Sequence, residues 1–299
     1  MHLLLELKTL MLNFNKEIKM KKILPCCILL CCIVTKPTLA EQVKEVALTI
    51  DDLPFVGTNS NDPGNLRRTQ KRFLDILHTL NENHIPTTGF VIANSIAKGQ
   101  WELLEEFRNN GYEIGNHTYS HANLNYVSAN KYIENIEKAD KILQPIMTQP
   151  KYFRYPGLAE GKGEKKQVVQ DHLTSDQYVI APVTIDSKDY KFNARLLNIN
   201  WRVRAQYLNK IKQQYLAYIW NQTQKAERKS QNGGRQILLI HANLLNSHCL
   251  GDVIKMYKDH GYKFITLQEA LANPAASQEQ EATTSQENEQ LNTAQTEIN

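Results

Sequence analysis

Disulfide chemistry is largely closed to this chain of 299 residues, which has only five cysteines. Four of them, Cys26, Cys27, Cys31 and Cys32, crowd into one apolar run near the N-terminus. Beyond that run only Cys249 remains, so neither an internal disulfide nor a thiolate metal cluster can form there. Long hydrophobic runs are also missing. The stretch from Ile23 to Val34 falls short of the roughly 20 apolar residues that a membrane-spanning helix needs. A surplus of one charge is absent too. The first 40 residues hold six Lys and two Glu, which leaves 29 basic and 29 acidic residues in the remainder. The net charge of +4 therefore resides in that leader, and no basic stripe remains that would argue for nucleic acid. No fixed-period repeat is visible.

The N-terminal segment reads as a targeting signal. Lys21-Lys22 after Met20, the apolar run, and Thr38-Leu39-Ala40 follow the order of n-region, h-region and small-residue cleavage site. The expectation is export to the periplasm or the medium, with cleavage after Ala40 and Met1 to Lys19 as an upstream extension. A membrane anchor is the alternative, which the shortness of the run disfavours, so no stable membrane span is expected after cleavage. No small residue precedes Cys26 or Cys31 to mark a lipoprotein site. From Pro274 onward the chain holds five Glu, no Lys or Arg, and only Leu291 and Ile298 as large apolar residues, too little to form a core. Three segments follow: residues 1–40 as extension and signal, 41–273 as a catalytic domain, and 274–299 as a disordered acidic tail.

Between about residues 43 and 272, short apolar runs alternate with amphipathic stretches. Strands are predicted over 46–50, 87–92, 112–114, 152–153, 178–180, 236–240 and 263–265. Helices are predicted over 65–81, 101–109, 129–143, 194–229 and 252–260. Leu66, Phe73, Leu74, Leu77 and Leu80 give the first helix an apolar stripe at helical spacing. Gly111 and Gly261 are placed to end helices, and Ser128 to begin one. Such alternation implies an α/β fold with a mostly parallel sheet, open or closed into a barrel.

Two segments carry the chemistry. Thr49-Ile50-Asp51-Asp52 closes an apolar run, and His117-Thr118-Tyr119-Ser120-His121 follows another. Strand ends are where α/β folds build sites. Successive residues of an extended chain point opposite ways, so Asp51 and Asp52 can take different roles; the simpler alternative is a pair of loop acids capping a helix. His117 and His121, four apart, would share one side of a helical turn. Isolated His pairs are often mere polar surface, and the zincin motif is excluded because Thr118, not Glu, follows the first His. Asp52 is the natural third ligand of a two-His, one-carboxylate site, which leaves positions open for water and substrate. Three later segments, Phe153-Arg154-Tyr155-Pro156-Gly157, Asp186-Ser187-Lys188-Asp189-Tyr190 and Leu238-Leu239-Ile240-His241, add further polar groups at strand ends.

With these five segments in this order, the chain resembles the polysaccharide deacetylases, the NodB-homology group of carbohydrate esterase family 4, over roughly residues 44–272. The resemblance implies a distorted parallel (β/α) barrel, a divalent metal and hydrolysis of acetyl groups from sugars. It makes Asp52, His117 and His121 the metal ligands, Asp51 the general base and His241 the general acid. Arg154 would pair with Asp51, and Asp189 would orient His241. Zn²⁺ suits two His and one carboxylate, with Co²⁺, Ni²⁺ and Mn²⁺ open on ligand type. Tyr155, Tyr190 and Trp201 offer ring faces for stacking a sugar, although such rings are more often simply packed.

The chain departs from the family pattern at three points. Leu53-Pro54 follows the second Asp where Gly is usual, Tyr155-Pro156-Gly157 replaces a run with two prolines and an aromatic, and Tyr190 stands where Trp is usual. These alter the oxyanion donor, expected to be the Gly157 N–H, and the walls of the groove. The expected function is N-deacetylation of N-acetylglucosamine units in peptidoglycan or a chitin-like oligomer. O-deacetylation of xylan or exopolysaccharide, and a glycan-binding protein without turnover, are the alternatives.

Overall fold

The computed structural model describes residues 43–55, 63–97, 99–230 and 234–272. The signal and the acidic tail expected from the sequence lie outside the described residues. β1 (Lys44–Leu53) is buried without interruption from Val46 to Asp51, so both of its faces must be covered, as in a parallel α/β sheet. The chain continues through α1 (Pro63–Asn83), β2 (Thr87–Val91), α2 (Trp101–Asn109), β3 (Glu113–Asn116), α3 (Ala129–Leu143) and β4 (Lys151–Phe153). It then forms α4 (Gly163–Ser175), β5 (Tyr178–Ile180), β6 (Ile185–Asp186), α5 (Asp189–Leu197) and α6 (Arg204–Lys229). β7 (Arg235–His241), α7 (Leu244–Asp259), β8 (Tyr262–Ile265) and α8 (Leu267–Leu271) complete it.

Every strand pairing among the described residues is parallel, in the order β5-β4-β3-β2-β1-β7-β6. β1 is long enough to serve two neighbours in succession. β8 pairs with Lys44–Ala47, and β2 takes over from Leu48 to Leu53. The sheet curls into a half-barrel rather than a closed one: β5 and β6 are its two ends, consecutive in the chain yet not paired with each other. Parallel strands put all carboxyl ends on one side, and Asp51, Asn116, Phe153, Asp186 and His241 all lie at or next to those ends.

The helices cover the sheet with stripes set by sequence. α1 buries Phe73, Ile76, Leu77 and Leu80; side chains of this kind each contribute about 1.5–3 kcal/mol when withdrawn from water. Ser128 accepts a hydrogen bond from the Lys131 N–H and caps α3. Gly111 and Gly261 adopt φ of +87° and +78° after α2 and α7, a conformation that costs glycine least.

Several details differ from the sequence reading. The single helix expected over 194–229 is two, because residues 198–203 break it. Asn200 Oδ1 accepts from the Arg202 N–H at 3.0 Å, and the Arg204 guanidinium donates to the carbonyls of Leu197 and Ile199, satisfying groups a continuing helix would have bonded. α7 begins eight residues before the expected 252, capped by Asn243. α4 was not anticipated because it buries only Val169 and Leu173, too sparse a stripe to read. β6 spans only two residues and leaves no periodic trace.

Candidate metal centre and active site

The end of β1 is irregular. Its pairing with β2 shifts register between Ile50 and Leu53, and Asp52 takes φ of +60°. An uninterrupted strand would turn Asp51 and Asp52 to opposite faces; the irregularity brings both to one cavity of about 410 Å³. The expectation of opposed directions is thereby corrected.

His117 and His121 also reach this cavity, but not on a helical turn. The segment is a loop with left-handed residues at Thr118 (φ +64°) and His121 (φ +57°). Buried Asn116 fixes it: its side chain donates to the Ile136 carbonyl and the Tyr178 hydroxyl and accepts from the Thr118 N–H at 2.7 Å. Asn135 holds the next residues, accepting from the N–H groups of Tyr119 and Ser120.

The three candidate ligands fit a divalent cation. Asp52 Oδ1 lies 3.4 Å from His117 Nε2 and 3.3 Å from His121 Nε2, and the ligand atoms fall within 4.8 Å of one another. That oxygen is buried and has no hydrogen-bond partner among the described residues, a state a bound cation would relieve. His117 Nδ1 lies 2.9 Å from the Arg154 carbonyl. A carbonyl only accepts, so Nδ1 carries a proton there and Nε2 is the ring atom that faces the site. Burial, partly opposed by Asp52, holds His121 below its ordinary pKa, which favours the neutral, ligating form. Burial raises the Asp52 carboxyl, but His117, then His241 and His121, outweigh it and bring the pKa to about 2.

Asp51 is paired from behind the cavity. Arg154, fully buried, donates from Nη1 to Asp51 Oδ1 at 3.0 Å and to Thr49 Oγ1 at 2.8 Å. Its Nε and Nη2 donate to the carbonyls of Ala181 and Pro182, and its Cζ lies 4.4 Å from the centre of the Phe90 ring. Burial lowers the guanidinium pKa, and Asp51 opposes that shift. The other carboxylate oxygen, Oδ2, lies 3.8 Å from His117 Nε2 on the cavity side.

The opposite wall carries His241 and Asp189. Asp189 Oδ1 lies 2.7 Å from His241 Nδ1 and accepts the Tyr190 N–H. Asp189 Oδ2 accepts from the His241 N–H, Asn243 Nδ2 and Asn246 Nδ2 at 2.7, 2.8 and 2.6 Å. Burial alone would lower the imidazole pKa; Asp189, and after it Asp52 and Asp51, more than offset that and raise it to about 10. His241 thus holds a proton at neutral pH, with Nε2 turned toward Asp52 at 3.9 Å.

A family model described as polysaccharide deacetylase matches residues 39–174, the stretch that supplies Asp51, Asp52, His117, His121 and Arg154. Over this stretch the chain matches the polysaccharide deacetylase family. The chain is 31% identical over 148 residues to a peptidoglycan-N-acetylglucosamine deacetylase of Bacillus cereus, covering 49% of this chain and 46% of that protein. It is 31% identical over 153 residues to a chitin deacetylase of Colletotrichum lindemuthianum, covering 50% of this chain and 54% of that protein. The chain thus spans about half the length of these curated relatives. A pseudoenzyme of carbohydrate esterase family 4 from Bacillus anthracis shares the fold, with a TM-score of 0.55 at 19% identity over 77% of this chain and 66% of that one. The fold alone therefore does not carry activity.

Within this deacetylase-family framework the remaining sequence candidates separate. Gly157, at φ +60°, lines the cavity beside Leu158. Tyr190 lines it too, 45% exposed and edge-on to His241 at 6.2 Å. Tyr155 does not: it is 3% exposed, edge-on to Phe153 and stacked on Tyr132. The expectation of a sugar-stacking face there is corrected, since the apolar layer between α3 and β4 claims the ring. Trp201 is exposed on the connection between α5 and α6 and is not among the cavity-lining residues. Sequence reasoning missed Thr49, Asn116, Asn243 and Asn246. The capping position of Asn243 before α7 was the one legible signal.

Proposed function

We propose that the chain is a metal-dependent hydrolase that removes N-acetyl groups from N-acetylglucosamine units of a glycan, either peptidoglycan or a chitin-like oligosaccharide. The observation that carries this reading is the pairing of opposed proton-transfer groups, Asp51 with Arg154 and His241 with Asp189, across the cavity that Asp52, His117 and His121 also line. Residues 41–273 form the catalytic domain, and the leader exports it to the compartment where such glycans lie.

A divalent cation held by Asp52, His117 and His121, with Zn²⁺ favoured by the donor set and Co²⁺, Ni²⁺ or Mn²⁺ as alternatives, would polarise the acetyl carbonyl and lower the pKa of water. Asp51, paired with Arg154, takes the proton of the attacking water. Gly157 offers its N–H to the oxygen that gains charge. His241 delivers its Nε2 proton to the amine nitrogen as the C–N bond breaks. An amine departs poorly unless protonated, so the high pKa of His241 suits amide cleavage. Asp189 holds the ring in orientation, and Tyr190 gives a sugar an apolar face beside it. The products are acetate and a free amine.

The test is acetate release from N-acetylglucosamine oligomers and peptidoglycan fragments after chelation, then after addition of Zn²⁺ or Co²⁺, beside Asp51→Asn. Metal-restored release that the variant lacks supports the proposal. Release from acetylated xylan alone points instead to an O-acetyl esterase, and binding without any release points to a protein without turnover.

A further inference from the structure

Among the residues lining the cavity, Lys188 is the only Lys or Arg. It precedes α5 with φ of +50°. A left-handed lysine carries backbone strain that glycine would not. If this turn served the backbone alone, glycine would serve it at less strain, so the side chain is what the position retains.

The local structure aims that side chain. Asp186 Oδ1 accepts the Lys188 N–H at 2.9 Å, and Asp186 Oδ2 meets Nζ at 2.5 Å. One carboxylate thus clasps both ends of the lysine. The pair is partly wet, with side-chain exposures of 35% for Lys188 and 23% for Asp186, so neither charge is locked away from a ligand. Asp186 occupies one of three ammonium donors. Nζ also lies 5.6 Å from the centre of the Tyr190 ring, the same ring that stands edge-on to His241. A sugar seated on Tyr190 would bring a substituent of its own, or of its neighbour, against the ammonium.

We infer that Lys188 is a specificity residue that selects glycans bearing a carboxylate next to the acetamide under attack, over neutral oligomers. This rests on the deacetylase reading and deepens it by naming the charge of the preferred substrate. The pairing with Asp186 sets the size of the effect. A charge-assisted hydrogen bond at a partly exposed site, shared with an existing partner, gives about a fivefold preference rather than a hundredfold one. Added salt weakens it.

The decisive experiment compares two tetrasaccharides, neutral chitotetraose and an alternating N-acetylglucosamine–N-acetylmuramic acid oligomer with free lactyl carboxylates. Each is titrated calorimetrically into the metal-loaded protein and separately assayed for acetate release. Lys188→Gln should lower affinity and kcat/KM for the acidic tetrasaccharide about fivefold more than for the neutral one. Lys188→Arg should keep most of the preference, and the exposed neighbour Lys191→Gln should leave the ratio as it is in the parent protein. Equal losses on both sugars in Lys188→Gln, or no acidic preference in the parent protein, would overturn the assignment. Absence of acetate release from both sugars would sink the deacetylase reading, while the binding ratios would still decide the role of Lys188.

Discussion

Replacing Asp189 with Asn tests the acid half of the site with little change of shape. The carboxylate accepts five hydrogen bonds, two at Oδ1 and three at Oδ2. An amide has one carbonyl, and the three donors at Oδ2 hold it there, so Nδ2 faces His241 Nδ1 and the Tyr190 N–H. His241 accommodates by giving up its Nδ1 proton and accepting from the amide; the Tyr190 N–H loses its partner. One charge-assisted bond is lost and the others weaken to neutral strength, which together cost about 3 kcal/mol. The larger effect is on the proton. Asp189 is the foremost cause of the rise of His241 to about 10; without it, burial pulls the imidazole down. A group with a raised pKa acts as an acid below that pKa and is lost as pH rises through it. The alkaline limb of amide hydrolysis should therefore move toward lower pH by more than a unit in Asp189→Asn. At pH 8 the rate should fall about 100-fold or more, the usual worth of a general acid. Ester hydrolysis, whose leaving group needs less protonation, should fall much less. The assay is a pH–rate profile of acetate release from matched amide and ester substrates, with a melting curve to confirm folding. An unmoved alkaline limb in a folded variant would refute the assignment of His241 as an acid governed by Asp189.

Arg154→Met should destabilise the protein by about 3–5 kcal/mol, because it strands the buried Asp51 carboxylate; urea denaturation measures this, and a loss below 1 kcal/mol would contradict the buried pair. Zn²⁺ at about one hundred times its dissociation constant should add about 2.7 kcal/mol of stability, a rise in Tm of about 5–10 °C at this size. The rise should vanish with chelator and in Asp52→Asn, and its persistence in that variant would place the metal elsewhere. Gly115→Ala puts a Cβ 2.7 Å from the Tyr152 carbonyl oxygen and 2.8 Å from the Phe90 ring. It should lower stability by about 1–3 kcal/mol and weaken Zn²⁺ binding by displacing β3 ahead of His117, both read by thermal melts with and without metal.

The amino-acid sequence by itself determined the parts whose physics is local. The unbroken apolar run of β1 can be satisfied only inside a covered sheet, the stripe of α1 repeats at helical spacing, and Ser128, Gly111 and Gly261 act on their own helix ends. It also determined which polar side chains stand at strand ends, because parallel strands send every carboxyl end to the same side. Tertiary structure decided how those side chains meet. A register shift of β1 against β2 turns Asp51 and Asp52 into one cavity, where local geometry alone predicts opposed directions. Left-handed backbone at Thr118 and His121, held by Asn116 and Asn135, replaces the helical turn read from spacing. Arg154 reaches Thr49, 105 residues earlier in the chain, only because the sheet curls. Asn243 and Asn246 converge on Asp189 from the first turn of α7, and the packing that buries Tyr155 leaves Tyr190 exposed at the cavity. These arrangements depend on contacts between residues far apart in the chain, and neither periodicity nor motif spacing encodes such contacts.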